Sequence, residues 1–183
     1  MVLDNGSLDV HVRERNLEMK NEDKKTLLTF FLAFDPGRDK TGFALVNLDG
    51  ELIFSGMFLS VEREKFFEAL LNSKSLDEFI IEYPGEKISS SDLISRIKFI
   101  AIGNGTRSKE FYEFAKKILL PLEFEIKIVD ERNTTLEARN LYWKIHKPGF
   151  FLRLLPEGLR VPPRVLDDLA AWAIAKRQLE IRS

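Results

Sequence analysis

Five carboxylates fall where a chain could bring them together to do chemistry. Asp35 follows a stretch, Leu27 to Phe34, in which seven of eight residues are apolar, and it precedes Pro36-Gly37. Asp130 and Glu131 follow the strand-like run Glu125 to Val129, and Asp167 and Asp168 precede the small apolar run Leu169 to Ala175. Each has an ordinary structural reading too. An Asp before Pro-Gly can be only a turn former that bonds nearby backbone N–H groups. Acidic residues in a first helical turn favour it electrostatically by a few tenths to about one kcal/mol. Gathered at one point, however, three carboxylates from distant segments repel one another unless cations bind there, and oxygen-only ligands select Mg2+ or Mn2+. Two such ions about 4 Å apart can activate a water and stabilise the leaving oxygen in phosphodiester hydrolysis.

Composition narrows the alternatives. The 183 residues suffice for one domain, and 44% hydrophobic with 31% charged residues is ordinary for a globular chain. With no cysteine there are no disulfides or thiolate sites, and two histidines leave little for zinc. No apolar run is long enough to span a bilayer, so no membrane partner is expected. The N-terminus lacks a signal-peptide pattern, and the expectation is a cytoplasmic protein. Net charge is −1, unevenly spread: from Arg132 to Ser183 there are ten Lys and Arg against five Asp and Glu. That basic third reads either as a phosphate-binding face or as scattered solvated charge.

The elements that must position the carboxylates follow from periodicity and punctuation. Residues 1–26 mix charges without an apolar period and read as a flexible N-terminal tail or a loose helix. Leu27 to Phe34, Gly42 to Leu48 and Glu51 to Leu59 read as an antiparallel three-strand meander, with Asp49-Gly50 as a type I′ hairpin turn. Period two puts Asp35 on the face of Ala33 and Phe31, at the rim of a core. Phe66, Phe67, Leu70 and Leu71 mark an amphipathic helix over Val61 to Leu71. Residues 72–98 read as an insertion, with a short strand over Glu78 to Tyr83 and a serine-capped helix from Ser90 to Ile97. Glu82, at the end of that strand, is either a candidate carboxylate or a solvated loop residue. Lys98 to Ile102 is a strand entering Gly103-Asn-Gly-Thr106, which reads as a phosphate-friendly turn or a plain βα turn capped by Thr106. A helix follows from about Arg107 to Leu119. Thr134 and Glu137 form a capping box for a helix through Ile145. Lys147 to Pro162 is a loop, and Pro162-Pro163 opens the final helix. On helical spacing Asp167 shares the packed face with Ala170, Ala171 and Ile174.

Together these predict an α/β fold, an antiparallel meander joined by two parallel strands and flanked by helices. Ligands of such sheets gather at strand carboxyl ends. Asp35, Asp130-Glu131 and Asp167 all reach that rim.

Asp35-Pro-Gly37 with Gly42-Phe-Ala44, then Val129-Asp-Glu-Arg-Asn-Thr-Thr-Leu-Glu-Ala138, then Leu166-Asp-Asp-Leu-Ala-Ala171, resemble the YqgF/RuvX family of Holliday-junction-resolvase-like nucleases in the RNase H-like superfamily. The resemblance spans Leu27 to about Leu179. It implies an RNase H-like, five-stranded mixed sheet over residues 27–183. It also implies a divalent-metal-dependent endonuclease acting on branched DNA, such as Holliday junctions, or on precursor ribosomal RNA. Asp35 would bridge two Mg2+ or Mn2+ ions, Asp130 or Glu131 would hold one, and Asp167 would complete the second, with Asp168 an extra carboxylate beside it. Arg132, Lys147, Arg153, Arg160 and Arg164 are the expected phosphate contacts. Trp143, Phe150 and Phe151 are either base-stacking groups or loop anchors. Ile102-Gly-Asn-Gly-Thr106 departs from the family pattern and is closer to the corresponding domain of the Tex transcription accessory proteins. A symmetric junction would favour a homodimer, because paired cuts need two sites related by a two-fold axis. The alternative is an RNase H-like module that binds nucleic acid without cutting it. A nucleotide-dependent kinase or ATPase of the actin-like class would need a second such domain around the nucleotide.

Overall fold

The computed structural model describes residues 29–85, 93–122, 124–156 and 159–182. The N-terminal tail, the first two residues of the expected first strand and the serine cap at Ser90 lie outside the described residues. Six strands form one mixed sheet: β1 (Phe30–Pro36), β2 (Lys40–Val46), β3 (Leu52–Leu59), β4 (Ile80–Glu82), β5 (Ile97–Gly103) and β6 (Glu125–Val129). Their spatial order is β4-β3-β2-β1-β5-β6, antiparallel from β4 to β1 and parallel from β1 through β5 to β6. This is the expected arrangement of a meander and two parallel strands, with one correction: among the described residues there are six strands, not five. The extra strand is the short segment ending at Glu82, which pairs with β3 through Ser55↔Glu82 and Gly56↔Ile80.

Strand alternation divides the core in two. Phe30, Leu32 and Phe34 of β1 point to one face, where α1 (Arg63–Leu71) and α3 (Ser108–Leu119) supply Phe66, Phe67, Leu70, Phe111 and Leu119. Phe31 and Ala33 point to the other, covered by α4 (Thr134–Ile145) and α6 (Asp167–Arg182). Two further helices are single turns, α2 (Leu93–Arg96) and α5 (Phe150–Arg153). From Leu169 to Ala175 every residue of α6 is buried, as expected for a helix held between a sheet and a second helix. Its alanines let the axis come close to the strands. Trp172 donates its indole N–H to the Gly50 carbonyl at 2.8 Å, tying α6 to the β2–β3 connection. Among the described residues no helix is long and apolar enough to cross a membrane.

Four local expectations are corrected. The β2–β3 connection is not a type I′ turn, because only Gly50 has positive φ there. Asn47 organises a longer loop by accepting the backbone N–H groups of Asp49 and Glu51. Thr106 does not cap the following helix, which starts at Ser108 with Arg107 before it. The Thr134–Glu137 capping box does not form. Asn133, in the left-handed region at φ 68°, occupies the cap position, the Thr134 hydroxyl donates to the Glu131 carbonyl, and Glu137 pairs with Arg177. The last helix starts at Asp167 rather than at Pro162-Pro163, which leads into it outside any helix.

Candidate metal-binding carboxylate site

Asp35 is the penultimate residue of β1 and stands opposite Gly42 of β2. It is partly buried on the alanine-rich face. Its carboxyl is pushed up from an ordinary 3.8 to about 7, first by burial, then by the charges of Glu131 and Asp167, and by a hydrogen bond shared with Glu131. Asp167 is raised for related reasons, burial and then the charge of Asp168, with the Lys40 ammonium opposing the rise.

The chain holds Glu131 in place through its backbone. Its N–H donates to Asn104 Oδ1 at 3.0 Å, and its carbonyl accepts from the Thr134 N–H and hydroxyl at 3.0 and 2.8 Å. Arg177 of α6 donates to the carbonyls on either side, Asp130 at 2.6 Å and Arg132 at 2.8 Å. The Glu131 side chain then lies over the Gly103-Asn-Gly105 turn, where a Cβ on either glycine would collide with its carboxylate oxygens. That turn is more than a bare βα connection: the chain's own Glu131 carboxylate lies against it, and Glu131 Oε2 is buried there without a hydrogen-bond partner.

The start of α6 is seated in a comparable way. A Cβ on Gly42 would overlap the Asp167 carbonyl, so glycine at this position lets the helix N-terminus rest on β2 directly across from Asp35.

The five predicted carboxylates therefore separate into two groups. Asp35, Glu131 and Asp167 are coupled at the carboxyl end of β1. Asp130 points elsewhere: its carboxylate accepts from the Arg132 backbone N–H and from Nε at 2.6 Å, and these bonds hold it below the usual range. Asp168 is fully buried and bonded to Ser55 and Arg164. Helical spacing predicts Asp167 on the packed face, yet the more deeply buried of the two is Asp168. Glu82 is not a solvated loop residue. Burial works to raise its carboxyl, but hydrogen bonds from Arg164 and His146 overcome this and hold it below the ordinary value.

The predicted phosphate contacts separate too. Arg132, Lys147 and Arg153 are exposed, although Arg132 leans on Asp130 and Arg153 Nε donates to the Pro148 carbonyl. Arg160 folds back onto the carbonyls of Leu152, Arg153 and Leu155, and its own carbonyl accepts the Trp143 indole N–H at 3.1 Å. Trp143 is thus a loop anchor, while Phe150 and Phe151 stand 74% and 82% exposed. An open pocket of about 250 Å³ beside the carboxylates is lined by Asp35, Arg139, Arg164, Val165, Asp167 and Ala170.

The donor set suits a hard divalent cation: three carboxylates, no sulfur or imidazole, one buried oxygen without a partner, and an aspartate that a cation would help to ionise. Among the described residues these side chains are not already drawn together as a finished ligand group of three. The sequence names the carboxylates and carries Gly42 and Asn104 inside its motifs without their roles as seats for Asp167 and Glu131, while Arg177 and Lys40 carry no signal.

No protein-family model and no curated protein matches the chain. Among solved structures, a Thermus thermophilus RuvC structure is similar at 13% identity, covering 84% of this chain and 96% of that one with a TM-score of 0.46.

Proposed function

We propose that the chain is a divalent-metal-dependent endonuclease of YqgF/RuvX-like type. It hydrolyses phosphodiester bonds in structured nucleic acid, either branched DNA such as a Holliday junction or precursor ribosomal RNA. The observation that carries this reading is the meeting of Asp35, Glu131 and Asp167, from the end of β1, the residues after β6 and the first residue of α6, at one sheet edge. Three of the residues singled out in the family-like sequence blocks meet there, and they come from three separate blocks.

Asp35, Glu131 and Asp167 would hold Mg2+ or Mn2+. When bound, the ion supplies a Lewis acid for the phosphoryl oxygen and acidifies water. Near neutral pH the Asp35 carboxyl retains a proton that must leave before the site accepts a cation. Lys40, close enough to Asp167 to act on its charge, and the exposed Arg132, Lys147 and Arg153 would meet phosphates. Paired cuts across a symmetric junction would require a second copy of the chain.

The test is cleavage of a labelled four-way DNA junction, single-stranded DNA and structured RNA with Mg2+ or Mn2+, comparing wild type with Asp35→Asn. Metal-dependent cutting that the substitution abolishes supports the reading, and the substrate cut names its class. The absence of a finished three-carboxylate ligand group among the described residues favours a second reading, a nucleic-acid-binding module without chemistry. That reading predicts equal binding by both proteins and cutting by neither.

A further inference from the structure

We propose that Arg164 is a positioning residue for Asp167, acting through Asp168 and braced by Ser55 and Glu82, and that it is not a phosphate contact. The inference rests on the reading of Asp167 as a metal-holding carboxylate.

The argument is one of helix rotation. In the sheet, β3, β2 and β1 lie side by side. The backbone at the start of α6 rests over β2 at Gly42. On one side, Asp168 reaches β3 and accepts the Ser55 hydroxyl at 2.8 Å. On the other, Asp167 acts on Asp35 at the end of β1. Successive helical residues differ by about 100° around the axis. Fixing Asp168 toward β3 therefore turns Asp167 toward β1. If Asp168 swung free, the first turn of α6 could rotate and take Asp167 with it.

Asp168 is fixed by a bidentate pair, Arg164 Nη1 to Oδ1 at 2.7 Å and Nη2 to Oδ2 at 3.1 Å. Nη2 also donates to Glu82 Oε1 at 2.7 Å, and Nη1 to the Val165 carbonyl at 2.7 Å. Glu82 is bonded in turn by His146 Nε2 at 2.8 Å. Ser55 and Glu82 are cross-strand partners on β3 and β4, so the sheet itself sets the spacing of the two groups that Arg164 and Asp168 bridge. The guanidinium lies over the Tyr142 ring, 5.7 Å from its centroid. Both terminal nitrogens are occupied by the protein, and a phosphate could be met only by dismantling this bracket. β4 thereby acquires a task, since it supplies the outermost brace of the carboxylate site.

The experiment measures three quantities on wild type, Arg164→Lys, Glu82→Gln and Asp35→Asn. They are Mn2+ affinity by titration calorimetry, the salt dependence of four-way-junction binding in EDTA, and the thermal midpoint. Arg164→Lys keeps the charge but loses the planar fork. The expected result is Mn2+ binding weakened about tenfold or more, within the range seen when supporting partners of metal ligands are removed, with the salt slope unchanged. Glu82→Gln leaves the Arg164–Asp168 pair intact and should weaken Mn2+ severalfold, which keeps the test open if Arg164→Lys does not fold. A salt slope lowered by about one with Mn2+ affinity intact would make Arg164 a phosphate contact and overturn the proposal. A lowered midpoint with both other quantities intact would make the bracket merely structural and overturn it as well. If wild type itself binds no Mn2+, or Asp35→Asn binds it equally, the nuclease reading fails and the bracket's purpose falls with it. Wild-type binding that Asp35→Asn loses and Arg164→Lys keeps would sink the positioning role alone.

Discussion

One face of the sheet is packed with phenylalanine and the other with alanine, and the two faces do different work. On the first, Phe34 packs against Phe67 and Phe111 at 5.6 and 5.0 Å between ring centroids, and Phe58 stacks on Phe66 at 4.5 Å. Large rings filling a layer bury the most area per residue and set α1 and α3 well back from the strands. On the second, Ala170, Ala171, Ala173 and Ala175 let α6 approach until its first carbonyl meets Gly42. Stability is concentrated where the side chains are large. The carboxylates sit where they are small, because only close approach brings Asp167 within reach of Asp35.

The sharpest way to break this division is to remove a ring from the first face. Phe66→Ala should lower unfolding free energy by about 3–5 kcal/mol, read from urea midpoints, while Mn2+ affinity of the folded fraction stays at the wild-type value. A parallel loss of Mn2+ binding would show that the two faces are not separable.

The second prediction concerns pH. Because the folded Asp35 carboxyl titrates near 7 and the unfolded one near 3.8, the folded protein binds this proton more tightly between those values. Its contribution to stability is therefore complete below about pH 4, declines as pH rises, and is gone once pH passes about 7. The decline amounts to at most about 4 kcal/mol. Asp167, also raised, adds in the same direction. Asp130 and Glu82, held low, work the other way at acid pH, so the difference between wild type and Asp35→Asn isolates the effect. In metal-free buffer Asp35→Asn should be the more stable protein at pH 8, with its advantage gone at pH 4. Adding Mn2+ at pH 8 should stabilise only wild type. Equal stability of the two proteins at pH 8 would mean that Asp35 is not under strain.

Gly42→Ala carries the comparison to the alanine face itself. The added methyl has no space beneath the Asp167 carbonyl, and the cost should be roughly 1–3 kcal/mol of stability, with Mn2+ affinity falling out of proportion to that loss. A variant with wild-type Mn2+ binding would show that the seat of α6 is unimportant. The smallest effect is expected from Trp172→Phe, which loses the bond to the Gly50 carbonyl in the β2–β3 connection, at the other end of β2 from Gly42. Calorimetry should show about 1 kcal/mol and an unchanged site.

The sequence reveals much of this division, but only along the chain. The run ending at Asp35 can be divided by period two into Phe30, Leu32 and Phe34 against Phe31, Ala33 and Asp35, and the structure divides it the same way. Strand and helix identities along the meander follow from equally local signals. What is not legible depends on contacts far apart in sequence. Nothing near Asp168 announces that Ser55, 113 residues away, will bond it, or that Glu82 will hold Arg164 across 82 positions. Helical spacing alone therefore could not tell which of the paired aspartates faces Asp35. Basic residues before α6 read as phosphate contacts for the same reason, since charge is visible in a sequence and its partner is not. Thr134 and Glu137 have the spacing of a capping box, but the Thr134 hydroxyl turns back to the Glu131 carbonyl, three residues earlier, and Glu137 pairs with Arg177 across 40 positions.

The alternation of β1 also bears on how the chain avoids assembling wrongly. Sliding β1 by a single position against β2 would exchange its two rows of side chains and turn Asp35 toward the phenylalanine-packed face, where a charge is costly to bury. A misaligned intermediate would meet that penalty before α6 could dock. The same acid that makes the sheet edge chemically useful thus polices strand alignment, and replacing it with an apolar residue should leave a chain that folds with less discrimination between registers.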